Sequence, residues 1–310
     1  MTVIVGHQLT SFIRLARIYA ICGYSTNASP QARTSQKQIS LLGRSYPTDE
    51  WTNVSAPIVE TLARKLLLQP SHPIGILRSI IEARFPREKY SLYSDLPPIV
   101  SVQQNFDSLG FPADHSGRSR TDTYYINGDK VLRTHTSAHQ AETFCSCPTP
   151  GFLISADVYR RDSIDKSHYP AFHQMEGAMV WSRNPQEDVS SEIESNIAAL
   201  PKLDLVVEDH MPAFHDKNPK QREHSDAEST AISTHLKRTL EGVVEEIFGR
   251  AKRVVGIPLN EKLRVRWIDA YFPFTSPSYE LEVLWEGEWL ELLGCGVVAQ
   301  RVLKNAGSSL

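Results

Sequence analysis

Two apolar runs that flank a charged loop place the strongest constraint on how this chain folds. Residues 152–159 read FLISADVY and residues 172–181 read FHQMEGAMVW, and the segment between them is rich in Arg, Asp, Lys and His. Short runs of large apolar residues bounded by polar segments are typical of buried strands. The pattern predicts a long antiparallel hairpin, with the charged segment as its connection.

Polar residues of this hairpin are spaced for a common surface. Alternate side chains of a strand point to the same face, so Arg160 and Asp162 would share one face. Gln174 and Glu176 would likewise share one face of the returning strand. Facing strands would then bring two arginines, a histidine and carboxylates onto one surface. Guanidinium groups suit phosphate oxygens and carboxylates suit an ammonium, so the hairpin predicts a surface for a polyphosphate and an amine. A solvated hairpin with surface ion pairs is the alternative, and the apolar strands make it the poorer fit.

A second polar cluster, RTHTSAHQ, spans residues 133–140. It contains compact groups with both donors and acceptors, namely His135, Ser137, His139 and Gln140. These groups could bind a small zwitterion. A capped helix start within the same segment explains them equally well.

A third segment, residues 264–284, carries Phe272 and Phe274. Two residues apart, they would project from one face of a strand. Paired phenyl rings form a natural wall for an aromatic ligand through edge-to-face packing. Plain core packing is the alternative.

Apolar periodicity predicts helices and strands around these three segments. Helices are expected from Ser55, over 74–81, near 193–200, from about Ser233 to Gly249, and over 298–305. Strands are expected over 263–272, 279–285 and 288–293, the last two paired through a turn at Gly287. Residues 182–230 are predicted to be a mostly irregular polar insertion.

Composition excludes several classes of protein. With 310 residues, 41% of them hydrophobic, and a net charge of −3, the chain is neither disordered nor built to bind nucleic acid by bulk charge. Four cysteines form no disulfide framework, which favours a reducing compartment. No run approaches the length of a membrane span. Cys145 with Cys147, and His168 with His173, lack the spacing of zinc sites.

The first acidic residue is Asp49, and an Arg- and Ser-rich amphipathic segment precedes it. This composition resembles a mitochondrial transit peptide, so residues 1–48 are predicted to be a targeting or disordered segment. A secretory signal is the rival, but arginines interrupt its apolar region. A folded domain is predicted over 55–310.

Five segments in order resemble the catalytic domain of phenylalanyl-tRNA synthetases of the single-chain mitochondrial type. They are NFDSLGFPADH (105–115), LRTHTSAHQ (132–140), VYRRDSIDKSHYPAFHQMEG (158–177), RVRWIDAYFPFTSPSYELEV (264–283) and EWLELLGCGVVAQRVLKNAG (288–307). The resemblance implies an α+β fold of class II: an antiparallel sheet flanked by helices, with the active site on the sheet. The region around 96–100 looks like the first class motif.

The resemblance also implies residue roles. Arg160 and His168 would be catalytic, and both would contact ATP together with Asp162. Phenylalanine would be held by His135, Ser137, His139, Gln140, Gln174, Glu176, Phe272, Phe274 and Glu280. The implied reaction is ATP-dependent activation of phenylalanine and its transfer to mitochondrial tRNA(Phe), with Mg²⁺ neutralising phosphate charge, in the mitochondrial matrix and in a monomer.

The chain also departs from the family pattern. After Leu310 the family continues with a Gly-rich third motif and an anticodon-binding domain. The sequence therefore predicts a chain truncated at its carboxy terminus and inactive alone. A non-catalytic remnant that binds phenylalanine or a protein partner is the alternative reading.

Overall fold

The fold is built on one eight-stranded sheet, mostly antiparallel. The computed structural model describes residues 2–7, 37–161, 164, 169–182, 189–255 and 262–306. The sheet order is β10-β11-β12-β13-β1-β9-β8-β4. These strands are β1 (Thr2–His7), β4 (Tyr90–Tyr93), β8 (Gly151–Tyr159), β9 (Ala171–Trp181), β10 (Leu205–Glu208), β11 (Leu263–Asp269), β12 (Thr275–Trp285) and β13 (Glu288–Val298). The predicted α+β class is confirmed.

Two smaller sheets and seven helices of the described residues complete the architecture. The small strands are β2 (Gln38–Leu41) with β3 (Arg44–Pro47), and β5 (Ile99–Ser101), β6 (Tyr125–Asn127) and β7 (Lys130–Leu132). The helices are α1 (Ala56–Thr61), α2 (Pro73–Glu82), α3 (Val102–Asn105), α4 (Gln140–Ser146), α5 (Val189–Ala198), α6 (Asp226–Val255) and α7 (Gln300–Asn305). None of the helices described here has the length and apolarity needed to cross a membrane.

The main sheet buries a separate apolar core on each face. On one face, Trp181 and Tyr279 of the sheet pack with Leu236 of α6. On the other face, Phe152 packs with Val302 of α7. Because side chains alternate along a strand, β9 supplies Met179 to the first core and Ala178 to the second.

The predicted hairpin is confirmed as β8 and β9. The two strands pair antiparallel over their whole common length, from Gly151 opposite Met179 to Tyr159 opposite Ala171. Ile154 lies opposite Glu176 and Ala156 opposite Gln174. Residues directly opposite each other share a face, so Gln174 and Glu176 lie on the face of the second core.

Ordered structure begins earlier than Ser55, which corrects the predicted domain start. The β2–β3 hairpin packs against the rest of the domain, and Leu41 is 1% exposed in a cluster with Ile58 of α1. These strands have four residues each, which is too short for an alternating apolar pattern to identify them from the sequence. β1 also lies in the main sheet, between β13 and β9. Residues 8–36 lie outside the described residues, so the targeting segment stays a prediction.

The long helix α6 differs from the prediction at both ends. It begins at Asp226, because Ser225 and Glu228 form a capping box in which each side chain accepts the other's backbone N–H, at 3.1 and 2.7 Å. It continues past Gly249 to Val255. A glycine costs only about 1 kcal/mol in a helix interior, and Lys252 and Arg253 at the carboxy end favour continuation.

The segment 182–230 is more regular than predicted. Besides α5 it contains β10, which pairs parallel to β11 at the edge of the main sheet. Leu205 of this strand packs against the core, but Val206 and Val207 are exposed, so the sequence of the strand shows little of the apolar pattern of a buried strand.

The helix predicted from Ser55 ends early. α1 ends at Thr61, and Leu66 lies in a separate turn after Lys65, which adopts a left-handed conformation.

Candidate active site

A buried carboxylate on β9 lies at the centre of the candidate site. Glu176 is 1% exposed and accepts hydrogen bonds from three side chains. The donors are Thr136 Oγ1 at 2.9 Å, Ser137 Oγ at 2.5 Å and Gln140 Nε2 at 2.7 Å. Gln174, two residues before Glu176, accepts the backbone N–H of Thr136 at 3.2 Å. The structure therefore brings together the predicted hairpin and the predicted polar cluster.

One hydrogen-bond acceptor of the same cluster receives no hydrogen bond. Gln140 is fully buried, and its Oε1 has no hydrogen-bond partner within the described part of the chain. A buried acceptor without a donor costs about 1–3 kcal/mol. A ligand that donates hydrogen bonds in two directions would satisfy Gln140 and Glu176 together.

Burial governs the protonation of Glu176. Because its three donors are neutral, desolvation dominates and raises the pKa of this carboxyl group to about 7, although the hydrogen bonds from Ser137, Gln140 and Thr136 oppose the rise. A cation placed beside Glu176 would favour the charged form. The site is therefore suited to a positively charged ligand.

This pKa predicts a pH-dependent stability. Between the unfolded value near 4.5 and the folded value near 7, the folded state holds more protons, so stability falls as pH rises through that window, by roughly 3 kcal/mol in total. Urea denaturation of the wild type and Glu176→Gln at pH 5 and pH 8 isolates this group. Glutamine can accept from Gln140 and donate to the two hydroxyls, so it keeps the network. A stability difference between the two proteins that does not change with pH would contradict the prediction.

A row of aromatic rings lies beside this polar cluster. His135 stacks on Phe111 with ring centroids 5.5 Å apart, and Phe111 lies 6.0 Å from Phe274. Phe274 and Phe272 are stacked at 6.3 Å. The two phenylalanines thus come together as predicted.

They do so from a loop and not from a strand, which corrects the prediction. Phe272 and Phe274 lie in the turn between β11 and β12. The Phe272 ring lies where a Cβ at Gly294 of β13 would be, so glycine there makes room for it. Glu280 of β12 pairs directly with Gly294, on the face opposite the buried Tyr279. Phe274 is 3% exposed and also belongs to the core, whereas Phe272 is only partly buried.

Arg160 is joined to the cluster through the segment before it. Its Nε donates to the backbone carbonyl of Thr134 at 3.0 Å, and its guanidinium lies over the Phe172 ring at 5.1 Å. Thr134 is held in turn by Asn105, which donates to its hydroxyl at 2.8 Å. Residues 134–137 therefore connect the arginine with Glu176.

Other charged residues of the hairpin point elsewhere. Arg161 donates to the backbone carbonyl of Arg120 and does not join Arg160. His173 pairs with Asp157 at 2.7 Å, on the face of β9 opposite Glu176. The predicted single surface with two arginines and a histidine is therefore wrong for these two residues. Asp162 and His168 lie outside the described residues.

His139 contacts Arg133 within the fold. Its Nε2 lies 3.0 Å from Arg133 Nη1. Burial and the neighbouring guanidinium lower the pKa of His139 to about 3, so the neutral ring accepts this hydrogen bond. Arg133 also donates to three backbone carbonyls, those of Leu96, Pro97 and Asp157. The contact of His139 with Arg133 is thus structural, and its predicted role with a ligand stays a prediction.

Three residues of the site were not singled out from the sequence. Thr136 donates to Glu176, Phe111 joins the aromatic row, and Arg133 is 3% exposed. Arg133 directly follows the buried Val131 and Leu132. An arginine that continues a buried strand is the sequence feature by which Arg133 could have been identified. Phe111 had no such signal, because the loop that carries it has no periodicity.

The fold agrees with comparisons to known proteins. The chain matches the family described as tRNA synthetases class II core domain (F) over residues 53–201 and 208–309, and it belongs to that family. Its relatives include the mitochondrial phenylalanine–tRNA ligase of Saccharomyces cerevisiae, 44% identical over 87% of this chain and 63% of the relative. The mouse (Mus musculus) mitochondrial phenylalanine–tRNA ligase is 37% identical over 87% of this chain and 56% of the relative.

A chloroplastic/mitochondrial phenylalanine–tRNA ligase of Arabidopsis thaliana is 40% identical over 84% of this chain and 50% of the relative. The chain thus spans between half and 63% of the length of these three relatives. The matched family confirms the class II catalytic fold that the sequence motifs implied.

Proposed function

We propose that this chain carries the phenylalanine-activating site of a mitochondrial phenylalanine–tRNA ligase. One observation carries the proposal: a buried carboxylate, Glu176, lies beside an unfilled acceptor, Gln140 Oε1, next to a row of aromatic rings. An ammonium with three donors can satisfy both oxygens. An amino acid with an aromatic side chain combines that ammonium with a ring that packs on phenyl walls.

The proposed ligand enters past Phe272. Gln174 and Glu176 are at most 2% exposed, so a ligand reaches them only where a covering side chain moves. Phe111 and Phe272 are both partly buried rings of the row, and Phe272 lies on Gly294, which has no side chain beneath it. Phenyl rings offer no partner for a hydroxyl group, which favours phenylalanine over tyrosine.

The proposed reaction has two steps. The phenylalanine carboxylate attacks the ATP α-phosphorus, and pyrophosphate leaves to give phenylalanyl-adenylate. The ribose hydroxyl of tRNA(Phe) then attacks the acyl carbon and loses its proton, the acyl–phosphate bond breaks, and AMP leaves. Arg160 binds an α-phosphate oxygen and stabilises the negative charge that develops there. Residues 134–137 fix the distance between Arg160 and the ammonium site, which is catalysis by positioning.

ATP, phenylalanine and mitochondrial tRNA(Phe) are the proposed substrates, and the mitochondrial matrix is the proposed compartment. Mg²⁺ would arrive with the ATP phosphates. Among the described residues, no group of three His, Cys, Asp or Glu side chains is placed to hold a metal ion, so no step is assigned to a protein-held metal. A monomer is the proposed state.

Calorimetry with phenylalanine tests the ammonium site. Glu176→Gln removes the charge but keeps the hydrogen-bond network, so we expect phenylalanine affinity to fall about 10- to 100-fold. Glu60→Gln, an exposed carboxylate in α1, is the matched control and should bind like the wild type. Phe272→Ala should also weaken binding, and tyrosine should bind less tightly than phenylalanine.

The same titration separates the alternatives. In a version extended to full length, phenylalanine binding without ATP-dependent pyrophosphate exchange would favour the non-catalytic remnant. Unchanged phenylalanine binding in Glu176→Gln, with the far-UV circular dichroism of a folded protein, would overturn the proposed ammonium site.

A further inference from the structure

A cavity of about 560 Å³ lies on the opposite face of the main sheet from Glu176. It is enclosed by the end of α2, the segment that follows it, the end of α5 and the middle of α6, and Met179 of β9 forms part of its floor. Met179 belongs to the core on the α6 face, while Glu176 points to the other face. The cavity is therefore separate from the candidate active site.

Positive charge dominates the lining of this cavity. Its charged residues are four cations, Arg84, Lys89, Arg238 and Arg250, and one carboxylate, Glu246. Glu246 is already shared, with Arg250 at 2.6 Å and Arg84 at 3.8 Å. Lys89 Nζ donates to the neutral Asn196 Oδ1 at 3.0 Å. Arg238 Nε lies 3.8 Å from Glu241, a carboxylate outside the lining. The four cations of the cavity thus face two carboxylates and keep an excess of positive charge.

Polar atoms without partners line one turn of α6 within the cavity. Across the described residues, His235 Nδ1 and Thr239 Oγ1 are buried and have no hydrogen-bond partner. Arg238 Nε is also buried without a hydrogen bond, although it lies 3.8 Å from Glu241. His235 is 6% exposed and packs edge-on against Trp181. Burial and the charge of Lys89 lower the pKa of His235 to about 4. An anion would satisfy these atoms.

The remaining wall of the cavity is apolar. It is formed by Ile80, Phe85, Tyr90, Leu200, Pro201 and Leu203. Guanidinium and ammonium groups together recognise phosphate oxygens, and a cavity of this size suits a small organic molecule. We propose that this cavity binds a small phosphomonoester with an aromatic or aliphatic body, its phosphate between Lys89 and Arg84 and its body on the apolar wall.

Phenyl phosphate is the probe, with inorganic phosphate and phenol as partial ligands. By calorimetry, phenyl phosphate should bind the wild-type chain more tightly than either fragment. Lys89→Gln and Arg84→Gln should each weaken binding about tenfold, since each removes one charge-assisted contact. Arg222→Gln, an exposed arginine in the turn before α6, is the control and should bind like the wild type.

Two further measurements locate the bound phosphate. The imidazole nitrogen resonances of His235, assigned by comparison with His235→Gln, should shift when phenyl phosphate is added to the wild type. Arg160→Ala should bind the probe unchanged, because Arg160 belongs to the other face. Absence of binding, unshifted His235 resonances, or binding that is lost in Arg160→Ala but kept in Lys89→Gln and Arg84→Gln would each overturn the proposal.

Discussion

Replacing Arg133 with methionine should lower the free energy of unfolding by about 3–5 kcal/mol. The guanidinium is 3% exposed and donates to the carbonyls of Asp157 at 2.6 Å, Leu96 at 2.9 Å and Pro97 at 3.0 Å. Burial lowers the pKa of Arg133 to about 10, so it stays charged at neutral pH. Methionine fills a similar volume but leaves these carbonyls and His139 without a donor.

Urea denaturation monitored by far-UV circular dichroism measures this loss. Arg64→Met is the matched control, because Arg64 is exposed, and its unfolding free energy should stay within about 0.5 kcal/mol of the wild type. The unfolding free energy of Arg133→Lys should lie between those of Arg133→Met and the wild type, since one ammonium cannot reach all the acceptors. A loss below about 1 kcal/mol in Arg133→Met would show that water replaces the guanidinium.

On the proposed function, in a version of the chain extended to full length, Arg160→Ala should slow phenylalanine-dependent pyrophosphate exchange by about 30- to 1,000-fold, equivalent to about 2–4 kcal/mol of transition-state stabilisation. Its Nε donates to the Thr134 carbonyl at 3.0 Å, which fixes the guanidinium relative to the residues that surround Glu176. Phenylalanine affinity should stay within a few-fold of the wild type, because the ammonium site lies on Glu176.

Arg161→Ala is the matched control, since the neighbouring arginine is directed to the carbonyl of Arg120. Wild-type exchange rates in Arg160→Ala would remove Arg160 from the mechanism. Equal losses of exchange rate in Arg160→Ala and Arg161→Ala would show that the total positive charge of the loop matters, and not a specific contact of Arg160.

The elements with a strong local pattern were predictable. The strands β8 and β9 each begin within one residue of their predicted limits, because their apolar runs are long and bounded by charge. Elements that depend on distant partners were missed: β10 is a strand only because β11 lies beside it, and its Val206 and Val207 are exposed. The capping box at Ser225 was present in the sequence and places the start of α6 correctly.

The site was predictable in its composition and less so in its geometry. Spacing correctly grouped Gln174 with Glu176, since a strand alternates regardless of its neighbours. The same alternation rule failed for Phe272 and Phe274, because they lie in a turn and their rings stack there, not on one face of a strand. That Thr136 faces Glu176 depends on a three-dimensional approach between segments 40 residues apart in sequence. His139 and Arg133 are only six residues apart, and their contact depends on how the chain turns between them.

The pairing of β8 with β9 restricts which length changes this chain can tolerate. Ala156 lies opposite Gln174 and Ile154 opposite Glu176. A single residue inserted into β9 before Gln174 would turn both polar side chains to the α6 face and bring Met175 to the site. Residues gained or lost in the connection after Arg160 leave this alternation intact. Natural length variation among homologues should therefore accumulate between Arg160 and Ala171 and be absent between Phe172 and Gly177.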